Sequence, residues 1–282
     1  MKVKFGASIL SWIPPMWTAE AGKYAIEKTA AAGFDMIELL LPNNMDFDEK
    51  EVKAQLKSAG IGSVCALILR KEQHIPQYPK EALHLIKQAL DKTAALDTDF
   101  LGGVLHSGIG CFTGNPVTDD EKATIVEVLQ EVAGYASKLG ITIGIEPINR
   151  YESYVCNTAE NVLELIGKTN ASNLVVHLDT FHMNIEENNF YDPVVASGSL
   201  LKHIHITESN RGMPGEGTVN WDELFKGLKE INFEGNLVLE NFSSSVPGMQ
   251  QAVSLWQPSA HDAEALAKGS LAFIKQRVSE HL

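Results

Sequence analysis

The chain is 282 residues long, enough for one large domain or two small ones, and 44% of its residues are hydrophobic, so a sizeable core is available. Its formal net charge of −13 weighs against nucleic acid and anionic membrane surfaces as partners, and against a highly phosphorylated substrate unless local arginines override it. No apolar run approaches the ~20 residues that span a bilayer, and the start MKVKFGASIL lacks a secretory signal. The scattered Cys65, Cys111 and Cys156 form neither a zinc ribbon nor a disulfide framework, so a cytoplasmic protein with reduced thiols is expected.

Strand-like and helix-like segments alternate along the chain. The apolar run Val3–Leu10 predicts a first strand, and Ala19–Ala32 a helix that stops at Gly33. Strands are expected next over Phe34–Leu41, Ile61–Leu69 and Phe100–Leu105, the last despite Gly102 and Gly103. Helices are expected over Asp48–Ala59, Pro79–Leu96 and Asp119–Leu139. The second half keeps the rhythm, with strands expected over Ile141–Glu146, Leu174–Asp179, Leu201–His205 and Asn236–Glu240. The helices that follow them are expected over Thr158–Lys168, Pro193–Ser199, Trp221–Glu230 and Ser259–Arg277. Glycines just past several helix ends supply C-caps. Eight βα units without a linker, with apolar strands buried on both faces, predict an α/β fold: a single (β/α)8 TIM barrel domain over residues 1–282. A doubly wound open sheet is the competing architecture. Two long glycine-rich loops, residues 106–118 and 206–220, follow strand C-termini, where barrel active sites are built.

Four polar residues close the last four strands: Glu146, Asp179, His205 and Glu240. Singly, a strand-terminal acid is ordinarily a solvated loop residue or a helix N-cap. Jointly, three carboxylates and one imidazole at the ends of successive buried strands point to a shared divalent cation, because a buried carboxylate is costly without a partner. The oxygen-rich set suits Mg²⁺, Mn²⁺ or Co²⁺, and the lack of cysteine argues against structural zinc. Glu146 and Glu240 on opposite sides of a metal-bound ketose would form an acid/base pair. One removes the acidified proton beside the carbonyl and the other returns a proton to the opposite face of a cis-enediolate.

The surroundings suit a sugar. His182 either bonds a carbonyl or hydroxyl oxygen or caps the short helix that follows. Arg211 either reaches a hydroxyl or makes a loop salt bridge. Glu152 either contacts the sugar, orients a donor or is solvated. Trp12 offers a flat apolar wall, or packs at the rim.

The segments Glu146-Pro-Ile-Asn-Arg150, Leu178-Asp-Thr-Phe-His-Met-Asn-Ile-Glu-Glu187 and His203-Ile-His-Ile-Thr-Glu-Ser-Asn-Arg-Gly212 resemble the signature of the ketose 3-epimerases, within the xylose-isomerase-like barrel superfamily. Gly33-Phe-Asp-Met-Ile-Glu38 is similar to that family's second strand. The resemblance implies that Glu146, Asp179, His205 and Glu240 hold manganese or cobalt, and that Glu146 and Glu240 are the acid/base pair. It further implies that Glu152, His182 and Arg211 hold the carbonyl end of a ketose of the D-psicose/D-fructose, D-tagatose or L-ribulose type, in a homodimer or homotetramer. The chain departs from the family at Ser8, where a tyrosine is common, and in the small-residue run His106–Phe112, where a tryptophan is common. The resemblance implies that both positions shape the pocket around the far end of the sugar.

Other residues carry plainer expectations. His177 and His203 lie two before a proposed ligand and share its face of the strand, which predicts satisfied core histidines one layer deeper. Cys65 is either a packing or a pocket-lining thiol. Glu38 points inward and bonds an arginine or backbone, or supports a ligand. Gly215-Glu-Gly217 reads as a turn and Arg70-Lys71 as solvated charge. An aldose–ketose isomerase or a sugar dehydratase on the same scaffold is the alternative chemistry, separable by which carbon exchanges its proton. A non-catalytic sugar-binding protein would not need an acid on each face.

Overall fold

Strands that are apolar on both faces must be covered on both, and closing the sheet on itself meets that need inside while helices meet it outside. The computed structural model describes residues 3–282. Its strands are β1 (Val3–Ser8), β2 (Met36–Leu40), β3 (Gly62–Ile68), β4 (Phe100–Val104), β5 (Thr142–Ile145), β6 (Leu174–Asp179), β7 (Leu201–Ile206) and β8 (Gly235–Leu239). All neighbours pair parallel in sequence order, and β8 pairs with β1, so the barrel is closed and the open sheet is excluded. The helices are α1 (Ala19–Ala32), α2 (Glu49–Ala59), α3 (Pro79–Ala95), α4 (Asp119–Leu139) and α5 (Ala159–Thr169) in the first part. They continue as α6 (Thr180–Glu186), α7 (Asp192–Ser197), α8 (Trp221–Glu230), α9 (Met249–Ala252) and α10 (Ala263–His281). No helix among the described residues is long and apolar enough to cross a membrane.

Local chemistry explains where elements start and stop. Side chains of Thr18, Asp48, Thr118, Thr158 and Asp262 accept from first-turn N–H groups, and Gly33, Gly60 and Gly140 close α1, α2 and α4 in the left-handed conformation. The terminal helix begins at Ala263, not Ser259, because Asp262 caps it; Ser259 instead exchanges two 2.8 Å hydrogen bonds with Ser244. β1 stops at Ser8, whose hydroxyl accepts from Leu10 N–H and opens a 3₁₀ turn over Ile9–Ser11. Helix α9 has no counterpart in the sequence-based assignment, and α6 answers to the short helix expected beside His182 but begins earlier, at Thr180.

The barrel interior is filled in layers. Met36, Val64, Phe100, Val175 and Val238 form an apolar plug. Above it, a Cβ on Gly102 would lie 2.8 Å from Phe100 and 3.0 Å from His177 Nδ1, and one on Gly144 would lie 2.6 Å from Phe100. The two glycines therefore make room for a phenyl ring and an imidazole. That is why β4 tolerates a residue type that usually weakens strands.

Candidate active site

Closing the barrel brings the ends of β5 to β8 together. Glu146 and Glu240 are the first residues past β5 and β8, Asp179 ends β6, and His205 is the penultimate residue of β7. All four are buried or nearly so. His205 Nδ1 lies 3.3 Å from Glu146 Oε1, 3.6 Å from Glu240 Oε2 and 3.8 Å from Asp179 Oδ2. It makes no hydrogen bond, although it is buried. On the other side of the ring, Nε2 lies 2.9 Å from Glu38 Oε1. A proton on Nε2 donated to Glu38 leaves the Nδ1 lone pair facing three carboxylates. This is the arrangement in which a carboxylate orients a metal-binding imidazole. An orphaned buried nitrogen within reach of three carboxylates fits a hard divalent cation. Ligand atoms of Glu146, Asp179 and His205 all lie within 4.8 Å of one another, as do those of Glu38, His205 and Glu240.

The charges explain one another. Burial pushes the Glu146 carboxyl up to about 7 and also raises Glu240. Burial acts the same way on Asp179, but the Arg211 guanidinium and His205 override it and hold that carboxyl well below its usual range. Against burial, Glu38 and then Glu240 and Glu146 raise His205 well above the ordinary histidine value, and His205 and His203 hold Glu38 down. A cluster this acidic sheds repulsion either by taking up protons or by taking up a cation.

The proposed substrate contacts surround this cluster. Arg211 has a positive φ of 61° and its Nη1 donates to Asp179 at 2.8 Å and to Glu240 at 2.6 Å. Its guanidinium is sandwiched between Phe181, 4.0 Å from the ring centroid, and Phe242, at 4.9 Å. The loop carrying it is pinned by Glu208, which accepts from the N–H groups of Ser209, Gly215 and Val219 and from Trp221 Nε1. His182 is buried and does not cap α6; Asp179 does, accepting from Phe181 N–H at 2.7 Å. His182 Nδ1 accepts from the backbone N–H of Asn149 at 3.1 Å and lies 2.9 Å from its side-chain amide. That leaves Nε2 as the protonated nitrogen, 3.8 Å from Asp179 Oδ2, and burial pushes the ring down to about 3, so it stays neutral. The same Asn149 amide donates to Glu152 Oε1 at 3.0 Å. One side chain thus positions both His182 and Glu152. The loop after β4 supports Glu146 from behind, with His106 Nε2 donating to its carbonyl at 3.0 Å and His106 Nδ1 accepting from Ser107.

A cavity of about 780 Å³ opens above the cluster, lined by Glu146, Glu152, His182, Arg211 and Glu240 on one side and by residues from the first four loops on the other. Trp12 is not among the lining residues. Its ring is buried, with Nε1 donating to Thr29 of α1 at 2.9 Å, because the 3₁₀ turn after β1 directs it under that helix. The wall expected of it is supplied by Trp17, which lines the cavity and meets Phe47 edge-on at 5.3 Å. Arg70, expected to be solvated charge, is exposed yet also lines the cavity.

His177 and His203 lie one layer deeper. His203 stacks on Phe100 at 4.8 Å and approaches Glu38 Oε2 to 3.0 Å. His177 is not a satisfied core histidine: neither ring nitrogen has a hydrogen-bond partner, and the ring sits edge-on to His203 and His205 at 4.3 Å. Burial lowers both rings and keeps them neutral. Cys65 faces away from the cavity into the core, where burial pushes its thiol up to about 12.

Comparison with known proteins agrees with this architecture. A sequence profile of the xylose isomerase-like TIM barrel matches residues 26–277. The chain is 34% identical to a ketose 3-epimerase of Arthrobacter globiformis, covering 98% of this chain and 97% of that one. It is 34% identical to an L-ribulose 3-epimerase of Methylomonas sp., covering 98% of each. Among solved structures, a D-allulose 3-epimerase from Methylomonas sp. in complex with D-allulose superposes with a TM-score of 0.91 at 34% identity, covering 98% of this chain and 97% of that one.

Proposed function

The chain belongs to the ketose 3-epimerase family of xylose isomerase-like TIM barrels, and from that premise we propose that it is an isomerase that inverts carbon 3 of a ketose. The observation that carries the reading is the pair of glutamates, Glu146 and Glu240, that both line one cavity within 3.6 Å of His205 Nδ1, with carboxyls raised by burial. A raised carboxyl is poised to exchange protons near neutral pH. Glu146, Asp179, His205 and Glu240 are the residues that would hold a divalent cation, Mn²⁺ or Co²⁺ before Mg²⁺. When bound, it supplies Lewis-acid polarisation of the ketose carbonyl.

The chain's own groups do the rest. One glutamate takes the proton from carbon 3; the C–H pair moves into the bond between carbons 2 and 3, and the carbonyl π pair moves onto the oxygen. The other glutamate delivers a proton to carbon 3 from the opposite face, so the centre inverts and the carbonyl reforms. His182 presents Nε2–H to a substrate oxygen, and Arg211 and Glu152 hold neighbouring hydroxyls. Arg211 must then release one of its two carboxylate contacts to the incoming sugar. The ketoses of D-psicose/D-fructose, D-tagatose and L-ribulose type are the substrates to try, and the assembly is read as a homodimer or homotetramer in the cytoplasm.

Incubating metal-loaded protein with these ketoses in D₂O tests the proposal. Deuterium at carbon 3 of an epimerised product is expected. Deuterium at carbon 1 or 2 of an aldose would replace it with an isomerase reading, and loss of water with a dehydratase.

A further inference from the structure

The cavity is larger than the reaction requires. Its volume of about 780 Å³ is that of a pocket for a drug-sized ligand, well beyond a free hexose. The acid cluster occupies the ends of β5 to β8. In an eight-stranded closed barrel, β2 and β3 face β6 and β7 across the mouth, and the residues just past β2 and β3 include Asn43 and Arg70, which both line the cavity. Arg70 is held there by a built relay. Asn43 Nδ2 donates to the Ile68 carbonyl at 3.0 Å, and Asn43 Oδ1 accepts from Arg70 Nε at 2.9 Å.

Anchoring through Nε leaves the two terminal amines of the guanidinium free. Among the described residues no carboxylate pairs with them, in a chain whose other cavity-lining arginine, Arg211, is bonded to both Asp179 and Glu240. Asp46 lines the same cavity but makes no ion pair with Arg70. An oriented, unpaired guanidinium edge matches the geometry of a carboxylate or phosphate.

We propose that Arg70 is a substrate-binding residue for an anionic group, and that the preferred ketose carries a carboxylate or phosphate on the terminal carbon far from its carbonyl. The inference rests on the ketose reading above for the direction in which the sugar lies. The anchored end of the ketose faces Glu146 and Glu240, and its tail crosses the mouth toward β2 and β3. A neutral ketohexose offers Arg70 hydroxyl oxygens but no charge-assisted, bidentate partner.

The test is calorimetric binding of D-fructose, D-fructose 6-phosphate and D-fructuronate to the metal-loaded protein and to its Arg70→Met, Arg70→Lys and Asn43→Leu variants. At least one anion is expected to bind about tenfold or more tightly than fructose. Arg70→Met is expected to remove most of that ratio. Arg70→Lys should restore part of it, and Asn43→Leu should reduce it by loosening the guanidinium. The better anion identifies the ester or the acid. Equal binding of anion and neutral sugar, or a ratio that survives Arg70→Met, overturns the proposal. If Arg70→Met does not fold, an anion preference that survives Asn43→Leu overturns it instead. Deuterium exchange at carbon 3, followed in the same samples, reports the epimerase reading separately. Tight anion binding without exchange would leave Arg70 assigned and remove the epimerase.

Discussion

The two halves of the barrel mouth have opposite chemistry. β1 to β4 end in Ser8, Leu40, Ile68 and Val104, while β5 to β8 end in or beside Glu146, Asp179, His205 and Glu240. The contrast follows from geometry. A cation binds only atoms a few ångströms apart, and neighbouring strands are about 4.8 Å apart, so a run of neighbouring strands is a ready source of ligands, which the proposed set from β5 to β8 would use. The opposite half is released from that constraint and shapes the rest of the cavity through its loops, with Trp17, Asn43, Arg70 and Ile109. On the reading proposed above, the reacting end of the sugar would lie against one half of the mouth and the rest of it against the other.

The division is broken most directly by exchanging acids. Glu240→Gln and Glu146→Gln should each lower kcat by about 10²–10⁴ while the sugar still binds, since general acid–base groups contribute on that scale. Leu40→Ala, in the other half, should move KM more than kcat. Steady-state kinetics on the three variants decides it; a kcat loss for Leu40→Ala as large as for the glutamates would erase the boundary between the halves.

Glu38 is the sharper case, because it belongs to β2 yet serves β7. It lies 2.9 Å from His205 Nε2 and reaches His203 at 3.0 Å. Glu38→Gln should weaken divalent metal binding by roughly 10–100-fold, as read from metal titrations of thermal stability. Excess metal should recover much of the activity. Unchanged metal affinity would reduce Glu38 to packing.

A smaller effect is expected from pH. The Glu146 carboxyl, raised by burial to about 7 in the metal-free protein, is favoured in its protonated form. Its contribution to metal-free stability is fully present below the unfolded carboxyl value and is lost as pH rises through about 7. Metal uptake must displace that proton, so apparent affinity should climb by roughly tenfold per pH unit below about 7 and then flatten. Metal titrations at pH 5.5, 6.5 and 8 would show it; a flat profile would mean that Glu146 is already ionised before metal arrives.

How much of this was legible in the sequence follows the same boundary. The acid half was readable because a charged residue closing an apolar run is a local signal, and four in successive strands imply convergence once closure is assumed. The supporting residues carry no such signal. Asn149 looks like any loop amide within Glu146-Pro-Ile-Asn-Arg150, and its service to both His182 and Glu152 exists only after β5 and β6 pair. Phe181 and Phe242 become clamps only because Arg211 takes a left-handed backbone and folds between them. In the other half, residue types were visible but their directions were not. Arg70 resembled ordinary surface charge, and Trp12 and Trp17, five residues apart, differed only in which way a three-residue turn would send them.

That pair of tryptophans gives the smallest expected effect and the finest test of the division. Trp12 Nε1 donates to buried Thr29. Trp12→Phe leaves a buried hydroxyl without its donor, which costs about 1–3 kcal/mol and should appear as a lower midpoint in urea. Trp17→Phe loses part of a half-exposed cavity wall and little core, so its midpoint should hardly move while KM rises. The two readouts must therefore separate, stability for one and KM for the other. If Trp12→Phe instead raised KM at unchanged stability, the turn after β1 would have to point the other way, and the wall of the cavity would be Trp12 after all.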